Sequence, residues 1–304
     1  MDRLDALKVF VRVAELGSFT RAAESLSLQK GAASAAVQQL EASLGARLFQ
    51  RTTRRVSLTQ DGRTCYERAK DLLSDADELA SLFRQAPHRL AGKLRVDMSS
   101  GLAQQYVLPH LPEFTREHPE LEFEVSATDR FVDVVREGFD CVLRVGKVTD
   151  TSLVARLLGH AALLTCASPA YLARFGTPRT LQDLEAHRLV HYVSSFGTRP
   201  DGWEYFDGTG YRTLPMAGSV TVNNAGTYHA ACVAGYGLIQ VPAFGVVRSL
   251  AEGTLVEVMK DHHAEPMPVT LLHAHRRHVP LRVRSFMDWL AALLKPQLLP
   301  PGAI

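Results

Sequence analysis

Cysteine is scarce in this sequence of 304 residues, and its spacing argues against two kinds of structural cross-link. The four cysteines lie far apart, form no Cys-x-x-Cys pair and have apolar neighbours: Cys65, Cys141, Cys166 and Cys232. Such spacing supports neither a zinc site nor a disulfide framework. We therefore expect buried, unreactive thiols.

Long hydrophobic runs are also missing. No stretch approaches the roughly 18 uninterrupted apolar residues that a membrane span requires. The chain opens with Asp2, Arg3 and Asp5, whereas a secretory signal opens with basic residues followed by an apolar run. We expect a cytoplasmic protein without a membrane partner.

The motifs of several enzyme classes are absent as well. The sequence contains no Gly-x-Ser-x-Gly elbow, no Gly-rich phosphate loop and no paired-carboxylate motif. It therefore predicts no catalytic residues and no resident cofactor. An enzyme or a solute-binding protein remains the alternative from another class. A solute-binding protein that works in transport would require an export signal.

Positive charge is concentrated at the N-terminus. Up to Leu58 the chain has nine basic and five acidic residues, a net charge of +4. Since the whole chain has a net charge of +2, the residues after Leu58 have a net charge of −2. A basic head on a nearly neutral body is typical of a DNA-binding protein, although a solvated helical face has the same appearance.

The first sixty residues have the pattern of a helix-turn-helix. Apolar residues recur with helical period from Leu4 to Ala14, through Leu7, Phe10 and Val11, and Gly17 ends this helix. Ser18 or Thr20 caps a short second helix that packs Ala22, Ala23 and Leu26. A third helix from about Lys30 to Leu44 buries Ala33, Val37, Leu40 and Leu44 and stops at Gly45, with Ser27 as a candidate N-cap.

The outer face of the third helix carries residue types that read base edges. Gln can pair with adenine through two hydrogen bonds, Ser serves either strand, and Ala permits close approach in the major groove. A merely solvated polar face would look similar. The candidate base-reading residues are Gln29, Lys30, Ser34, Ala35 and Gln38.

Two short extended segments around a basic turn follow this helix. Arginine on such a turn suits phosphates or a narrow minor groove, so we interpret the segment as a wing. Its candidate DNA contacts are Arg51, Thr52, Arg54 and Arg55.

Four stretches in this order resemble the N-terminal signature of LysR-type transcriptional regulators. They are Phe19-Thr20-Arg21-Ala22-Ala23, Leu40-Glu41-Ala42-Ser43-Leu44-Gly45, Leu48-Phe49-Gln50-Arg51-Thr52-Thr53-Arg54 and Leu58-Thr59-Gln60-Asp61-Gly62. The sequence departs from the family in the third helix, where the family often has Ser, Gln and Pro in place of Gln29, Lys30 and Gly31, and Arg in place of Ala35.

A long helix is predicted from Gln60 to Phe83. Its apolar positions alternate steps of four and three, a heptad pattern that pairs with a second copy of the same helix unless it docks on the protein's own body. We call this stripe the seam, and its residues are Cys65, Ala69, Leu72, Ala76, Leu79 and Phe83. Pro87 and Gly92 then bracket a hinge.

Extended and helical segments alternate beyond the hinge, which predicts an α/β unit with a largely parallel sheet. We predict strands near residues 94–98, 121–125, 139–145, 162–166, 188–193, 219–222, 238–241 and 268–273, and a last helix at 280–294. The final strand and helix are expected to return to the first subdomain.

Later stretches extend the resemblance to nearly the whole chain, among them Arg144-Val145-Gly146, Cys166-Ala167-Ser168-Pro169-Ala170-Tyr171-Leu172 and Ala234-Gly235-Tyr236-Gly237-Leu238. The resemblance implies a two-lobed effector domain like that of periplasmic solute-binding proteins. The expected fold is α/β overall, with a winged helix-turn-helix at 1–59, a linker helix at 60–86, a hinge at 87–92 and an effector domain at 93–304. Lobe I is expected at 93–161 and 266–304, and lobe II at 162–265.

Two helix starts are candidates for binding an effector, because free N–H groups at a helix N-terminus attract anions. Ser99 and Ser100 follow one strand, and Asn223 and Asn224 follow another. Such residues also cap helices when no ligand is present, and Arg144 has an alternative role as a structural ion pair. The candidate effector contacts are Ser99, Ser100, Thr128, Arg144, His191, Asn223, Asn224 and Thr227, and the expected effector is a small carboxylate or a phenolic compound.

A histidine-rich segment near the C-terminus invites a metal interpretation. It contains His262, His263, His273, His275 and His278, whose spacing matches no tetrahedral set. We expect no metal site.

These features together predict a regulator that responds to a ligand. An effector bound between the lobes changes their angle, and the change passes through the hinge to the paired linker helices and the DNA heads. The expected partners are promoter DNA, the effector, a second copy of the chain and RNA polymerase, and the resemblance implies a homotetramer. The alternative is a redox-responsive regulator that acts through Cys166 and Cys232 or another pair.

Overall fold

The computed structural model describes residues 2–51, 56–82, 90–148, 152–274 and 279–300. The chain divides into two units. The first unit is built mainly from the residues up to Leu90, and the second holds most of the remainder. None of the helices among the described residues has the length and apolar character needed to cross a membrane.

The helices of the described residues are α1 (Arg3–Leu16), α2 (Phe19–Ser25), α3 (Lys30–Leu44), α4 (Gln60–Leu82), α5 (Ser100–Leu102), α6 (Leu108–Glu117), α7 (Pro169–Phe175), α8 (Ala225–Val233), α9 (Val247–Ala251) and α10 (Leu281–Leu294). A π-helical turn at Ala103–Val107 joins α5 to α6.

The strands of the described residues are β1 (Phe49–Arg51), β2 (Val56–Leu58), β3 (Ala91–Met98), β4 (Glu120–Ala127), β5 (Cys141–Val145), β6 (Leu153–Ala161), β7 (Leu163–Ala167), β8 (His191–Tyr192), β9 (Trp203–Phe206), β10 (Tyr211–Leu214), β11 (Thr221–Val222), β12 (Ile239–Pro242), β13 (Val256–Val258) and β14 (Met267–Ala274).

The helices α1, α2 and α3, the β1–β2 hairpin and the first half of α4 share the core of the first unit. Phe10 and Phe19 lie against Phe49, with ring centroids 5.3 and 5.6 Å apart, so β1 packs on α1 and α2. As predicted, Ser18 caps α2, since its hydroxyl accepts a hydrogen bond from the Arg21 N–H.

The ends of the first and third helices differ from the predicted apolar stripes. The sequence predicts that Leu44 is buried, but it is 42% exposed, and Leu4, at the start of the predicted apolar stripe of α1, is 37% exposed. Both lie in a terminal turn of their helix, where fewer neighbouring residues cover the side chain. The inner positions Ala33, Val37 and Leu40 are buried as predicted.

Lobe I of the second unit is a mixed five-stranded sheet in the order β4-β3-β5-β14-β6. The strands β4 and β5 run parallel to β3, whereas β14 runs antiparallel to β5 and β6. Phe286 of α10 packs 5.6 Å from Phe114 and 5.2 Å from Phe123, measured between ring centroids. The last helix therefore covers this sheet.

Lobe II has a smaller sheet in the order β12-β7-β13, with both pairings antiparallel. The expectation of a largely parallel sheet is therefore wrong for this three-stranded sheet and holds for only half of the lobe I pairings, while the short β8–β11 pair of lobe II is parallel. The physical reason in lobe I is the path of the chain, because β6 leaves the sheet and β14 returns to it, and these two pair antiparallel. The sequence pattern also missed β6, β13 and the β9–β10 hairpin.

Candidate functional site

The outer face of α3 is polar and accessible. Gln29, Ala35 and Gln38 are exposed and Ser34 is partly exposed, while Lys30 is the first residue of the helix. Because the opposite face is packed in the core, α3 is fixed with these residues outward. The helix can thus present a row of hydrogen-bonding side chains to a groove.

The start of α3 differs from the expectation that Ser27 is its N-cap. Gln29 occupies that position in an extended conformation and forms no side-chain capping bond. Ser27 lies in the turn before the helix with a φ of 55°, and the next residue closes the turn through a hydrogen bond from the Leu28 N–H to the Ala23 carbonyl. The serine is therefore part of the turn itself.

Glu41 attaches the β1–β2 hairpin to α3. Its Oε1 accepts hydrogen bonds from the N–H groups of Leu48 and Phe49, at 2.7 and 3.1 Å. A carboxylate that holds two backbone donors gives charge-assisted bonds, which are stronger than neutral ones. The hairpin is thereby held at a fixed place beside α3.

The end of the hairpin is held by the Leu58-Thr59-Gln60-Asp61-Gly62 stretch. The Thr59 hydroxyl donates to the Arg47 carbonyl at 2.6 Å and accepts from the Gly62 N–H at 2.8 Å, which caps α4. A Cβ on Gly62 would lie 2.0 Å from the Leu48 carbonyl oxygen, so no larger residue fits there. These contacts explain why the segment has this sequence.

The basic turn of the hairpin is described only at its edges. Arg51 is the last residue of β1 and pairs with Val56 of β2. Thr52, Arg54 and Arg55 lie outside the described residues. Their contact with DNA remains a prediction.

The seam on α4 divides into two parts. Ala69 is buried and Cys65 is half-buried in the core of the first unit, so these residues pack on their own chain. Leu72 and Leu79 are 49% and 59% exposed. The part of the seam available to a second helix is therefore shorter than predicted and consists, among the described residues, of Leu72, Ala76 and Leu79; Phe83 lies outside them.

In the second unit, the two predicted helix starts meet at one carboxylate. Asp129 accepts hydrogen bonds from the Ser100 N–H at 3.2 Å, the Ser100 hydroxyl at 2.7 Å and the Ala225 N–H at 2.7 Å. The Gly226 N–H donates to the Ser100 hydroxyl oxygen at 3.2 Å. The starts of α5 and α8 are thus brought together, with Asp129 between them.

Thr128 and Arg144 both bind Asp97. The Arg144 guanidinium lies 3.2 Å from Asp97 Oδ2, and the Thr128 hydroxyl donates to the same carboxylate at 3.0 Å. Asp97 is fully buried; burial raises the pKa of its carboxyl, and Arg144 opposes that rise. Arg144 also donates to the carbonyls of Leu143 and Arg130, so in this structure it forms the ion pair that the sequence offered as one alternative.

His191 and Tyr192 point in opposite directions because side chains alternate along a strand. The His191 ring lies against Gly218, where an added Cβ would be 2.6 Å from its Nε2. Tyr192 packs on Tyr228, with centroids 5.5 Å apart, and burial together with the Asp129 charge raises the pKa of its hydroxyl to about 12. Tyr192 therefore lies within electrostatic reach of Asp129.

The remaining predicted contacts lie around the start of α8. Asn224 is its N-cap, and its Oδ1 accepts from the Thr227 N–H at 3.1 Å. Asn223 and Thr227 are exposed, and Ser99 is partly exposed. Ser99 and Asn223 thus lie next to the Asp129 contact with side chains that a ligand can reach.

Asp129 and Tyr192 are the site residues that sequence reasoning missed. Asp129 comes directly after Thr128, which was chosen, and it follows the end of β4. An acidic residue after a strand is an ordinary loop residue, so the pattern held no signal for it. Its role depends on α8, which lies almost a hundred residues later in the chain.

The cysteines of lobe II are close together but protected. The Cys232 thiol donates to the Cys166 carbonyl at 3.5 Å, and both residues are fully buried. Burial raises the pKa of each thiol to about 12, which leaves little of the thiolate that reacts with oxidants. This environment does not favour the redox alternative.

We expect hydrogen peroxide to leave Cys166 and Cys232 reduced in the folded protein. Peptide mass spectrometry after alkylation measures this, and the half-buried Cys65 is the internal comparison, since it should be alkylated first. Protein treated in denaturant shows what the reagents do to exposed thiols. A Cys166–Cys232 disulfide formed in the native protein would support the redox regulator instead.

The histidine-rich segment offers no metal ligands among the residues described. No group of three or more His, Cys, Asp or Glu side chains comes together there or elsewhere in the described chain. His273 Nδ1 lies 2.9 Å from the Ala274 carbonyl oxygen. His275 and His278 lie outside the described residues.

Comparisons with known proteins match both units. Residues 4–63 match the family model described as bacterial regulatory helix-turn-helix protein, lysR family, and residues 87–295 match the LysR substrate binding domain. An uncharacterised helix-turn-helix transcriptional regulator of Escherichia coli, YhjC, is 44% identical over 98% of this chain and 100% of its own length. A transcriptional repressor of Pseudomonas aeruginosa is 34% identical over 96% of this chain and 92% of its own. The solved structure of CrgA, a LysR-type transcriptional regulator from Neisseria meningitidis, has a TM-score of 0.61 at 28% identity, and the match covers 97% of this chain and 99% of CrgA.

Proposed function

The chain belongs to the LysR family of DNA-binding transcriptional regulators with an effector-binding domain, and we propose that α3 and the β1–β2 hairpin form its DNA-binding surface. The observation that carries this proposal is the exposed polar face of α3, fixed by a buried face and by Glu41, which holds the hairpin beside it. Both elements needed to grip a duplex are thereby held in one small core.

The two elements have different tasks. On α3, Gln38 and Ser34 reach base edges, Ala35 allows close approach, and Gln29 and Lys30 contact bases or phosphates at the N-terminal end. On the hairpin, Arg51, Arg54 and Arg55 bind phosphates, with Thr52 between them. Phosphate contacts set the position on the duplex, and base contacts set the sequence that is recognised.

The second unit binds a small-molecule effector between its lobes, beside the contact of Asp129 with the starts of α5 and α8. Ser99, Asn223 and Tyr192 are the side chains that contact it, with Thr227 at the edge. Hydrogen-bond donors at two helix starts suit an effector with a carboxylate or phenolic oxygen. Arg144 and Thr128 support the site through Asp97 without touching the ligand.

The regulator works as an assembly. Two chains pair through Leu72, Ala76 and Leu79 of α4, two such dimers form a tetramer, and the effector shifts the population of its conformations. The protein acts in the cytoplasm, where it reaches promoter DNA and RNA polymerase, and it performs no catalysis itself.

Binding of the full chain to the DNA upstream of its own gene tests the central proposal. We expect an affinity that falls steeply as salt rises from 50 to about 200 mM, because released counterions drive association. Excess unrelated DNA should compete weakly. An absence of salt-sensitive binding to this region and to any other duplex would refute the proposed DNA-binding surface.

A substitution at the groove-facing position tests base reading. Gln38→Ala should weaken binding to the specific site about tenfold and leave binding to unrelated DNA unchanged, because a good bidentate base contact is worth about 1–3 kcal/mol. The matched control is Gln39→Ala, since Gln39 is also exposed but lies about 100° further around the helix. Equal losses for the two variants in a fluorescence-anisotropy titration would contradict the assignment.

A further inference from the structure

Two helices from different lobes begin at the same carboxylate. Ser100 opens α5 directly after the lobe I strand β3, and α5 continues through the π-helical turn into α6. Ala225 opens α8, which packs in the core of lobe II. Asp129, just beyond the end of β4, lies between the two starts.

The contact between the lobes is close and depends on hydrogen bonds. The buried Ser100 hydroxyl donates to Asp129 at 2.7 Å and accepts from the Gly226 N–H at 3.2 Å, so it takes part in both helix starts. A Cβ added to Gly101 would lie 3.2 Å from the Ala225 Cβ. The two backbones thus approach as nearly as small residues allow, and the carboxylate satisfies a donor on each.

The donors engaged here are those that a ligand carboxylate would need. Unsatisfied N–H groups and the positive end of the helix dipole make a helix start attractive to an anion. At the starts of α5 and α8 the Asp129 carboxylate already takes the place of that anion. The buried cation nearby is also neutralised, because Arg144 is paired with Asp97. An acidic molecule that enters the cleft therefore meets positions that the chain itself has filled.

We propose that Asp129 is a built-in clasp between the two lobes and that an acidic effector acts by taking its place at the starts of α5 and α8. The second half of this inference rests on the proposed effector cleft. When the effector carboxylate replaces Asp129, the hydrogen bonds from lobe I through Asp129 to Ala225 are lost, and the lobes are joined through the effector instead. Replacement of Asp129 by the effector changes the connection between the lobes, and a signal to the DNA-binding domains requires such a change.

Because Asp129 competes with the effector for the same donors, the clasp also determines the affinity that an effector needs. A tethered side chain competes at an effective concentration in the millimolar range or above. Wild-type protein should therefore ignore small carboxylates that lack further contacts. A true effector gains from additional contacts such as Tyr192, Ser99 and Asn223, which Asp129 does not use.

Chemical rescue by formate tests the clasp without knowledge of the effector. Asp129→Ala removes one carboxylate, and formate is a free carboxylate of the same size. We expect the variant to melt several degrees below wild type, and 100 mM sodium formate to raise its midpoint by roughly 2–4 °C above the value in 100 mM sodium chloride, the shift that about 1 kcal/mol gives in a domain of this size. Hydrogen exchange of the Ala225 amide should be faster in the variant and slowed again by formate.

Controls separate the clasp from general effects. Asp129→Asn keeps the volume filled without the charge, so it should be destabilised and should not respond to formate. Asp201→Ala, which removes an exposed carboxylate elsewhere in the second unit, should behave as wild type. If folded Asp129→Ala shows no formate response beyond chloride, or wild type responds equally, the clasp is refuted while the DNA-binding proposal stands. If Asp129→Ala does not fold, the test moves to Asp129→Asn. Hydrogen exchange of the Ala225 amide at the wild-type rate in this variant would then refute the clasp.

Discussion

Replacing Arg51 and Arg54 together by alanine should lower the affinity for every DNA duplex about thirtyfold at roughly 0.15 M salt. Each arginine that neutralises a phosphate releases about 0.9 counterion on B-DNA, so two lost contacts remove about 1.8 from the slope of log affinity against log salt. Specific and unrelated DNA should lose affinity equally, because phosphates carry no sequence information. Titrations at four salt concentrations measure both the affinity and the slope.

The control for this pair is an arginine of the second unit. Arg248 is exposed on α9, where it forms an ion pair with Glu252 at 2.7 Å, and Arg248→Ala changes the net charge without touching the head. We expect its slope to equal that of wild type. An unchanged slope in the double variant would show that the basic turn does not bind phosphates, and the assignment of the hairpin as a wing would be wrong.

The elements of the head were predictable because local signals agree there. Gly17 and Gly45 both adopt positive φ at the ends of their helices, 59° and 65°, and Ser18 caps α2 as its residue type suggests. The outer and inner faces of α3 also follow the sequence period. The α/β class and the helix-turn-helix were therefore correct, whereas the burial of Leu44 depended on how far neighbouring elements extend.

The linker helix shows what periodicity leaves open. A heptad stripe specifies which residues lie on one face, but it does not specify what covers that face. The structure covers Cys65 and Ala69 with the core of their own unit and leaves Leu72 and Leu79 exposed. Two of the six predicted seam residues thus pack on their own chain and not on a second helix.

The contact between the starts of α5 and α8 was only partly predictable from the sequence. Ser100 and Asn224 were chosen because helix starts have characteristic residues, and both do lie at helix starts in the structure. Asp129 was missed because its two backbone partners are separated in sequence by more than a hundred residues. Arg144 was ambiguous because the residue that pairs with it, Asp97, lies in a different strand. A sequence pattern therefore does not show which residues that lie far apart in the chain contact each other in the fold.

Leu72→Glu combined with Leu79→Glu should convert the assembly to smaller species, with a dissociation constant for the α4 pairing raised about a thousandfold or more. Each leucine buried in a helix pair contributes about 1.5–3 kcal/mol, a symmetric dimer loses four of them, and the new carboxylates face one another across the interface. Both side chains are exposed in the single chain, so the substitutions should leave the melting of the head itself nearly unchanged. Sedimentation velocity at several protein concentrations measures the species present.

A matched control places the same two glutamates on the outer side of α4. Arg63 and Thr64 are exposed and lie away from the stripe, so Arg63→Glu combined with Thr64→Glu should sediment as wild type. If the Leu72 and Leu79 variant also sediments as wild type, chains associate through another surface. The proposal predicts instead that the Leu72 and Leu79 variant no longer assembles, that its affinity for paired half-sites falls, and that it binds single half-sites as wild type does. In that case the exposed part of the seam joins two DNA-binding domains at the spacing that a promoter requires.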